Sequence, residues 1–217
     1  MSRNLNSPPR LPAVDHLIWG GQSLETEIDR LERLTSVRAT PGGRHPGEGT
    51  HNALIALGST MYLELIAPDP SQSPLYRERW MGLDRLTEPR LIGWAAKSAD
   101  LERQAESARL ARIPLGEVRS GRRERSNGEV LSWRFTYPGT LPGDGIVPFL
   151  IDWGAGPHPA DAAAAGVRLL QLGAEHPEPD SIRRQLRILG IELGVAAGPR
   201  PVLIATLETS RGSIELR

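Results

Sequence analysis

A carboxylate within an apolar segment is the feature of this sequence that most suggests chemistry. Glu64 follows Leu63 in a run whose alternation predicts a strand. Tyr62, Glu64 and Ile66 then share one face of that strand. Burying a carboxylate there costs free energy unless a metal, a proton or a basic side chain pairs with it. On a sheet that is covered on one side only, Glu64 would instead face solvent.

His16 is the second candidate. It lies in a strand-like run, in line with Val14 and Ile18. A lone His on an apolar strand is more often a hydrogen-bonded core residue than a ligand, but imidazole and carboxylate together suit divalent first-row metals. We expect the polar atoms of His16 and Glu64 to lie within about 5 Å in one cavity, close enough to share a cation at roughly 2.0–2.2 Å. A direct hydrogen bond between them is the metal-free alternative.

A glycine-rich stretch, 42–50, is predicted to form a loop between these two strands. It contains His45 and leads into His51 and Asn52. Its glycines permit unusual backbone angles, which suits a binding loop and equally suits plain turn geometry. His45, His51 and Asn52 are therefore candidate substrate-binding residues, with a solvated loop as the alternative. The stretch lacks the G-x-x-x-x-G-K-[ST] spacing of a phosphate loop.

Composition excludes several classes of function. Lys+Arg and Asp+Glu both number 26, so the formal net charge is zero and we expect neither nucleic acid nor a membrane as partner. The chain has no Cys, which excludes thiolate metal sites, disulfides and Cys nucleophiles. It has no G-x-S-x-G motif, so acyl-enzyme hydrolysis has no support.

The ends of the chain bear on its location. No stretch approaches the roughly 18 apolar residues of a membrane-spanning helix, and the N-terminal sequence lacks an apolar signal core. We therefore expect a cytoplasmic protein with a disordered tail at residues 1–13. The dominance of Arg over Lys, with abundant Gly and Pro, is typical of proteins from high-GC bacteria.

One pattern, strand–helix–strand–strand–strand, recurs about three times. The modules span about 14–68, 91–153 and 167–217 of a single domain, 14–217. Helices are predicted at 24–34, 99–110 and 181–189, the last two capped by Ser98 and Asp180.

Two segments interrupt the pattern. Residues 69–89 are predicted to form a connector with a short helix that carries Leu75 and Trp80, and it serves either as a packed linker or as a wall over a cavity. Residues 119–127 are Arg-rich and predicted to be a charged turn, with attraction of an anionic substrate as the minority interpretation.

This order of modules resembles the vicinal oxygen chelate superfamily, and within it the glyoxalase-like domain proteins. The resemblance covers most of the chain from Val14 onward. The short segments that carry the resemblance are DHLIW from Asp15, GGRHP from Gly42, GTHN from Gly49, YLELIAP from Tyr62 and PFLIDW from Pro148.

The resemblance implies an α+β fold of repeated βαβββ modules, in which mixed, curled sheets enclose a cavity and the helices lie outside. Members typically hold one divalent metal ion between a His on the first strand and a Glu on the last strand of each module. His16 and Glu64 match the first-module positions, so both are expected to be metal ligands and catalytic residues.

The second module departs from the pattern. Gly93 or Trp94 stands where the resemblance calls for a His, and Trp94 is taken as a candidate substrate-binding residue. Asp152 faces away if Ile151 takes the position equivalent to Glu64. His45 or His51 is then the substitute metal ligand that the sequence offers.

Two functions follow from the resemblance. The first is metal-assisted lyase or isomerase-type chemistry on a carbonyl or enolate substrate, with the cation as Lewis acid and Glu64 as base. The second is metal-free binding or sequestration of a small hydrophobic molecule, without catalysis. In both cases the partner is a small molecule, and a homodimer is a further possibility.

Overall fold

The secondary structure follows the predicted order of strands and helices. The computed structural model describes residues 13–73, 76–124 and 130–217, so most of the predicted tail, Leu75 and residues 125–127 of the predicted charged turn lie outside the described residues. The helices are α1 (Leu24–Thr35), α2 (Leu101–Leu110) and α3 (Pro179–Ile188). The strands in these ranges are β1 (Val14–Gly20), β2 (Thr40–His45), β3 (Thr50–Gly58), β4 (Met61–Pro68), β5 (Arg90–Lys97), β6 (Glu117–Glu124), β7 (Val130–Tyr137), β8 (Phe149–Asp152), β9 (Arg168–His176), β10 (Gly194–Ala197), β11 (Val202–Thr209) and β12 (Gly212–Leu216).

Eight strands form one curled sheet in the order β2-β3-β4-β1-β5-β8-β7-β6. The first half, β1 to β4, and the second half, β5 to β8, each pair their first strand parallel to their last, and β1 meets β5 antiparallel at the centre. The curl brings edge strand β6 against edge strand β2, where the Arg123 side chain lies beside Gly42 and Gly43. The sheet therefore wraps round a cavity, which confirms the predicted fold class.

The third unit repeats the order of elements but not the pairing of strands. Its sheet has the order β10-β9-β11-β12, with β9 parallel to β10 and antiparallel to β11. In the first two units the opening strand pairs instead with the closing strand. Hydrophobic alternation fixes where a strand begins and ends, but not which strands become its neighbours. The third unit is consequently not another half of the cup.

The outer face of the large sheet packs on the helices and on the smaller sheet. One apolar core contains Leu17 of β1, Leu31 of α1, Leu101 of α2 and Leu207 of β11, each almost fully buried. Burying a side chain of this size stabilises the fold by roughly 1.5–3 kcal/mol. Of the helices in the described ranges, none is long and apolar enough to cross a membrane.

Helix ends and edge strands differ from the sequence predictions. The N-caps of the second and third helices are Asp100 and Glu178 rather than Ser98 and Asp180. Residues 42–45 belong to strand β2 rather than to a loop, and Arg119–Glu124 belongs to strand β6 rather than to a turn. Edge strands bond to a neighbour on one side only, so they tolerate the glycines and charges that normally signal a turn.

The connector after β4 forms a wall of the cavity. Its helical part is a short 3-10 segment, Trp80–Arg85, broken by positive φ angles at Met81 (63°) and Gly82 (66°). The Gln22 side chain anchors it through hydrogen bonds of 2.8 Å to the Leu83 carbonyl and 3.0 Å to the Leu86 carbonyl. Because Trp80, Met81 and Leu83 line the cavity, the wall interpretation of this segment is the one that holds.

Candidate functional site

The cavity inside the curled sheet has a volume of about 1190 Å³ and two chemically different sides. The first half of the sheet contributes most of its polar residues. The second half and the connector contribute most of an aromatic wall. Seven of the ten Phe, Trp and Tyr residues of the chain, all ten of which are described, line the cavity: Tyr62, Trp80, Trp133, Phe135, Tyr137, Phe149 and Trp153.

Glu64 lies at the polar side of the cavity and is only 7% exposed. It shares its strand face with Tyr62 and Ile66, as alternation predicts. The Asn52 amide donates to Glu64 Oε1 at 2.5 Å, and His16 Nε2 lies 3.7 Å from Glu64 Oε2. The predicted proximity of His16 and Glu64 is therefore confirmed. At 3.7 Å the two groups do not form a direct hydrogen bond.

Asn52 links Glu64 to a buried cation. Arg123 Nη1 donates to Asn52 Oδ1 at 3.1 Å, and His45 Nε2 lies 4.0 Å from Glu64 Oε1. Burial lowers the pKa of His45; the Glu64 charge opposes that shift and the Arg123 charge adds to it. Glu64 therefore has an amide donor and a nearby guanidinium to offset the cost of its burial.

The glycine pair of β2 makes room for this arrangement. A Cβ atom on Gly42 would lie 2.2 Å from Asn52 Oδ1 and 2.7 Å from Arg123 Nη1. One on Gly43, where φ is +148°, would lie 2.9 Å from Arg123 Cδ. A side chain at either position would collide with Asn52 or Arg123. The two glycines therefore leave the space in which Arg123 crosses the edge of the sheet.

Asp15, beside His16, is fully buried and has three hydrogen-bond partners. Trp153 Nε1 donates to it at 3.1 Å, and the ring nitrogens His16 Nδ1 and His158 Nε2 lie 2.9 Å and 3.2 Å from its carboxylate oxygens. Burial alone would raise the pKa of Asp15, but the hydrogen bonds from His158 and His16, with their charges, hold it well below its usual value. Asp15 is therefore an ionised acceptor.

A register shift on β1 explains how adjacent Asp15 and His16 come together. The pairing with β5 skips a residue between Val14 and His16, which marks a β-bulge. Val14 consequently packs in the outer core, whereas His16 lines the cavity and Ile18 packs with cavity-side residues. The expectation that His16 is in line with Val14 is wrong for this reason.

Two predicted site residues lie elsewhere. Trp94 is fully buried in the outer core, where its Nε1 donates to the Ile146 carbonyl at 2.8 Å. The residue of β5 that pairs with His16 is instead Ala95. His51 does not line the cavity, because it alternates with Asn52 along β3. Of the four candidate substrate-binding residues, His45 and Asn52 therefore line the cavity, whereas Trp94 and His51 do not.

Sequence reasoning missed three polar residues of the site, the first of which is Asp15 at the β-bulge. Arg123 was assigned to a charged turn, and the only signal for its position was the Gly-Gly pair on the strand it approaches. His158 comes from the Gly- and Pro-rich segment after β8, which returns to the first half of the sheet: the Ala56 N–H donates to the Ala164 carbonyl at 2.8 Å. A His between two prolines carries no periodic signal that predicts this return.

The residues present do not fit a metal held by the protein alone. The separation of His16 Nε2 and Glu64 Oε2, 3.7 Å, is one that a single ion can span. However, the second-half side chains that face this pair include Phe149 and Ile151, which are not ligands. No group of three or more His, Asp or Glu in residues 13–73, 76–124 and 130–217 is arranged to hold a metal.

A cup of two βαβββ halves, with a His–Glu pair at its polar side, defines a protein of the vicinal oxygen chelate class. The sequence model of the family described as "Glyoxalase-like domain" matches residues 14–190. The chain therefore belongs to the glyoxalase-like domain family, and the resemblance stated from the sequence is confirmed. A comparison with curated protein sequences gave no match.

Solved structures are similar to this chain to different degrees. A hypothetical protein from Staphylococcus aureus superposes with a TM-score of 0.61 at 14% identity, over 94% of this chain and 84% of that one. Methylmalonyl-CoA epimerase from Mycobacterium tuberculosis gives a TM-score of 0.41 at 18% identity, over 64% and 85% of the two chains. A Streptomyces coelicolor methylmalonyl-CoA epimerase in complex with 2-nitronate-propionyl-CoA gives 0.43 at 19% identity, over 67% and 97%.

Proposed function

We propose that this protein binds a small molecule with an apolar body and a polar head, and that Glu64 exchanges a proton with that head. One observation carries the proposal: a buried carboxylate lies at the polar side of a cavity that seven aromatic side chains line. A volume of about 1190 Å³ exceeds the roughly 300–1,000 Å³ usual for small-molecule sites. The aromatic wall suits the body of the ligand, since flat apolar groups stack on such rings.

The chemistry that this arrangement supports is proton transfer next to a carbonyl group. Glu64 accepts a proton from the carbon beside the carbonyl, and the electron pair of the broken C–H bond moves onto the carbonyl oxygen as an enolate. Return of the proton to either face of the carbon, or to another atom, completes an isomerase-type reaction, and loss of a leaving group completes a lyase-type one. Asn52 holds Glu64 Oε1, which leaves Oε2 on the His16 side of the carboxylate.

Binding without catalysis is the second candidate function. The side chains of the second half at the cavity include Phe149 and Ile151, which supply apolar surface and no acid, base or ligand. A cup of this kind sequesters a hydrophobic compound without changing it. Both candidates need a ligand in the cavity, and they differ in whether Glu64 moves a proton.

Mass spectrometry of the purified protein, first in the native state and then after denaturation, tests for a retained ligand. Trp133→Ala should lower the amount retained several-fold, because it removes part of the aromatic wall. Tyr76→Ala is the matched control, since Tyr76 is fully exposed and lies outside the cavity. Equal retention by all three proteins would contradict binding in this cavity.

Deuterium exchange then separates the two candidates. In D2O the wild-type protein should introduce deuterium beside the carbonyl of the recovered ligand, while Glu64→Gln binds the ligand and introduces none. Absence of exchange with the wild-type protein would identify a binding protein. Elemental analysis and a repeat in excess chelator test the role of a metal: loss of exchange on chelation would show that a cation takes part.

A further inference from the structure

The carboxylate of Asp15 takes no part in the proton exchange proposed for Glu64, yet it contacts His16 directly. Its Oδ1 atom lies 2.9 Å from His16 Nδ1, on the ring edge away from Glu64. On its other side it is held by Trp153 Nε1, 3.1 Å from both carboxylate oxygens, and by His158 Nε2, 3.2 Å from Oδ2. A fully buried carboxylate with three hydrogen-bond partners, two of them from a distant segment of the chain, is a built arrangement.

The hydrogen bonds of the neighbours fix the direction of each proton. Trp153 Nε1 is only a donor. His158 Nδ1 accepts the Ala160 N–H at 3.2 Å, so the proton of a neutral His158 ring is on Nε2, which donates to Asp15. Trp153 and His158 both donate to the Asp15 carboxylate, and an ionised carboxylate only accepts hydrogen bonds. His16 Nδ1 must therefore be the donor in its contact with Asp15.

We propose that Asp15 is a positioning residue, which Trp153 and His158 hold in place. It keeps neutral His16 in the Nδ1–H tautomer, so that the unprotonated Nε2 faces Glu64 and the cavity. The ring is further held by the Tyr62 ring, stacked at 4.6 Å and 17°, and by the edge of Phe149 at 5.6 Å.

The tautomer of His16 determines which kind of ligand head group fits beside Glu64. This part of the inference rests on the function proposed above. In this tautomer His16 Nε2 is an acceptor, as a carboxylate oxygen is, and it lies 3.7 Å from Glu64 Oε2, which is too far for a hydrogen bond. A hydroxyl or an acidic C–H of a ligand supplies a proton donor for one of these atoms, and an ammonium group supplies donors for both. A head group that only accepts hydrogen bonds is excluded from this position.

The tautomer is testable without any ligand, so this test is independent of the proposed function. Protonated and unprotonated ring nitrogens of neutral His differ strongly in ¹⁵N chemical shift. The measurement is an NMR spectrum of the full chain labelled with ¹⁵N-His, recorded at about pH 8, where most imidazole rings are neutral. The His16 signals should show the proton on Nδ1. His158 and His176 are internal references of the opposite tautomer, since their Nδ1 atoms accept backbone N–H groups of Ala160 and Glu178.

Two variants complete the test. In Asp15→Ala the His16 signals should shift toward the Nε2–H pattern, while the His176 signals stay unchanged. In His158→Ala the His16 signals should keep the Nδ1–H pattern, because Asp15 remains. A proton on Nε2, or on both nitrogens, of wild-type His16 would overturn the proposal even if Asp15→Ala does not fold. An unchanged His16 tautomer in folded Asp15→Ala would overturn it equally.

Discussion

At the scale of single residues, the site combines groups that sequence reasoning finds with groups that it does not. His16 and Glu64 stand out because polar residues on apolar strands are costly to bury. Arg123 does not stand out, because it reaches Asn52 across 71 positions of the chain and only the curl of the sheet brings the two together. The sequence leaves a metal, a proton or a basic side chain open as the partner of Glu64, and the structure places the Arg123 guanidinium one side chain away, beyond Asn52.

The hydrogen bond from Asn52 to Glu64 gives a prediction about the coupling energy between these two residues. Asn52→Ala removes the amide donor, 2.5 Å from Glu64 Oε1, and leaves a buried carboxylate with fewer donors. We expect it to lower the free energy of unfolding by about 1–3 kcal/mol. In a Glu64→Gln background the same change should cost clearly less, because no buried charge is left without its donor.

Urea unfolding of the wild-type protein, both single variants and the double variant gives this coupling energy. An Asn52→Ala cost that is the same in both backgrounds would show that the contact does not stabilise the carboxylate.

At the scale of elements, the sequence predicts the helices well and the edges of the sheet poorly. Helix α1 begins and ends within a residue of its prediction because its apolar face is regular. Residues 42–45 of β2 and 119–124 of β6 were predicted to be a loop and a turn, since glycines and arginines carry that signal in isolation. The bulge at Asp15 was equally invisible, because one extra residue changes the face of a strand without changing its composition.

The turn after β4 gives a pH-dependent prediction. Asp69 is buried and accepts hydrogen bonds from the Ser71 N–H and hydroxyl and from Gln72 Nε2. Burial would raise the pKa of Asp69, but these hydrogen bonds outweigh it and lower the pKa to about 2. A lowered folded-state pKa means that the ionised group stabilises the fold above the unfolded pKa of about 3.9, and that this contribution is lost as the pH falls toward about 2.

Asp69→Asn should therefore lower the free energy of unfolding by about 1 kcal/mol at neutral pH. The gap between the two proteins should shrink as the pH falls from about 4 toward about 2, since protonation then removes the same charge from the wild type. Denaturant unfolding at a series of pH values measures the gap. A gap that stays constant down to the lowest pH would contradict the assigned role of Asp69.

At the scale of the whole molecule, the third unit is the part that the sequence describes least completely. Its order of elements is as predicted, but its strands pair in a different order and it packs outside the cup. Repetition in a sequence indicates similar elements, and pairing depends on which apolar faces meet. We propose that residues 14–217 nevertheless form a single domain, since Leu207 of β11 belongs to the same core as Leu17 of β1.

A substitution in the third unit tests this proposal. Leu207→Ala should lower the free energy of unfolding by about 2–5 kcal/mol, because Leu207 is fully buried. All five Trp residues precede residue 167, so their fluorescence reports only on the rest of the chain. Fluorescence and circular dichroism should show one coincident transition at a lower denaturant concentration.

Leu110→Ala is the control, since Leu110 is 69% exposed and should change little. The contrary result is a fluorescence transition at the wild-type denaturant concentration, with part of the circular dichroism signal lost at a lower concentration. It would show that the third unit unfolds as a separate domain.

The meeting of β2 and β6 also affects how this protein behaves at high concentration. An open edge strand offers unpaired backbone groups to other chains, and such strands are common starting points of aggregation. In the larger sheet the two edges meet where the Arg123 side chain lies across Gly42 and Gly43. A strand from another molecule would have to displace this buried guanidinium before it could add at that point, so the contact that completes the cavity also protects this part of the sheet edge from intermolecular growth.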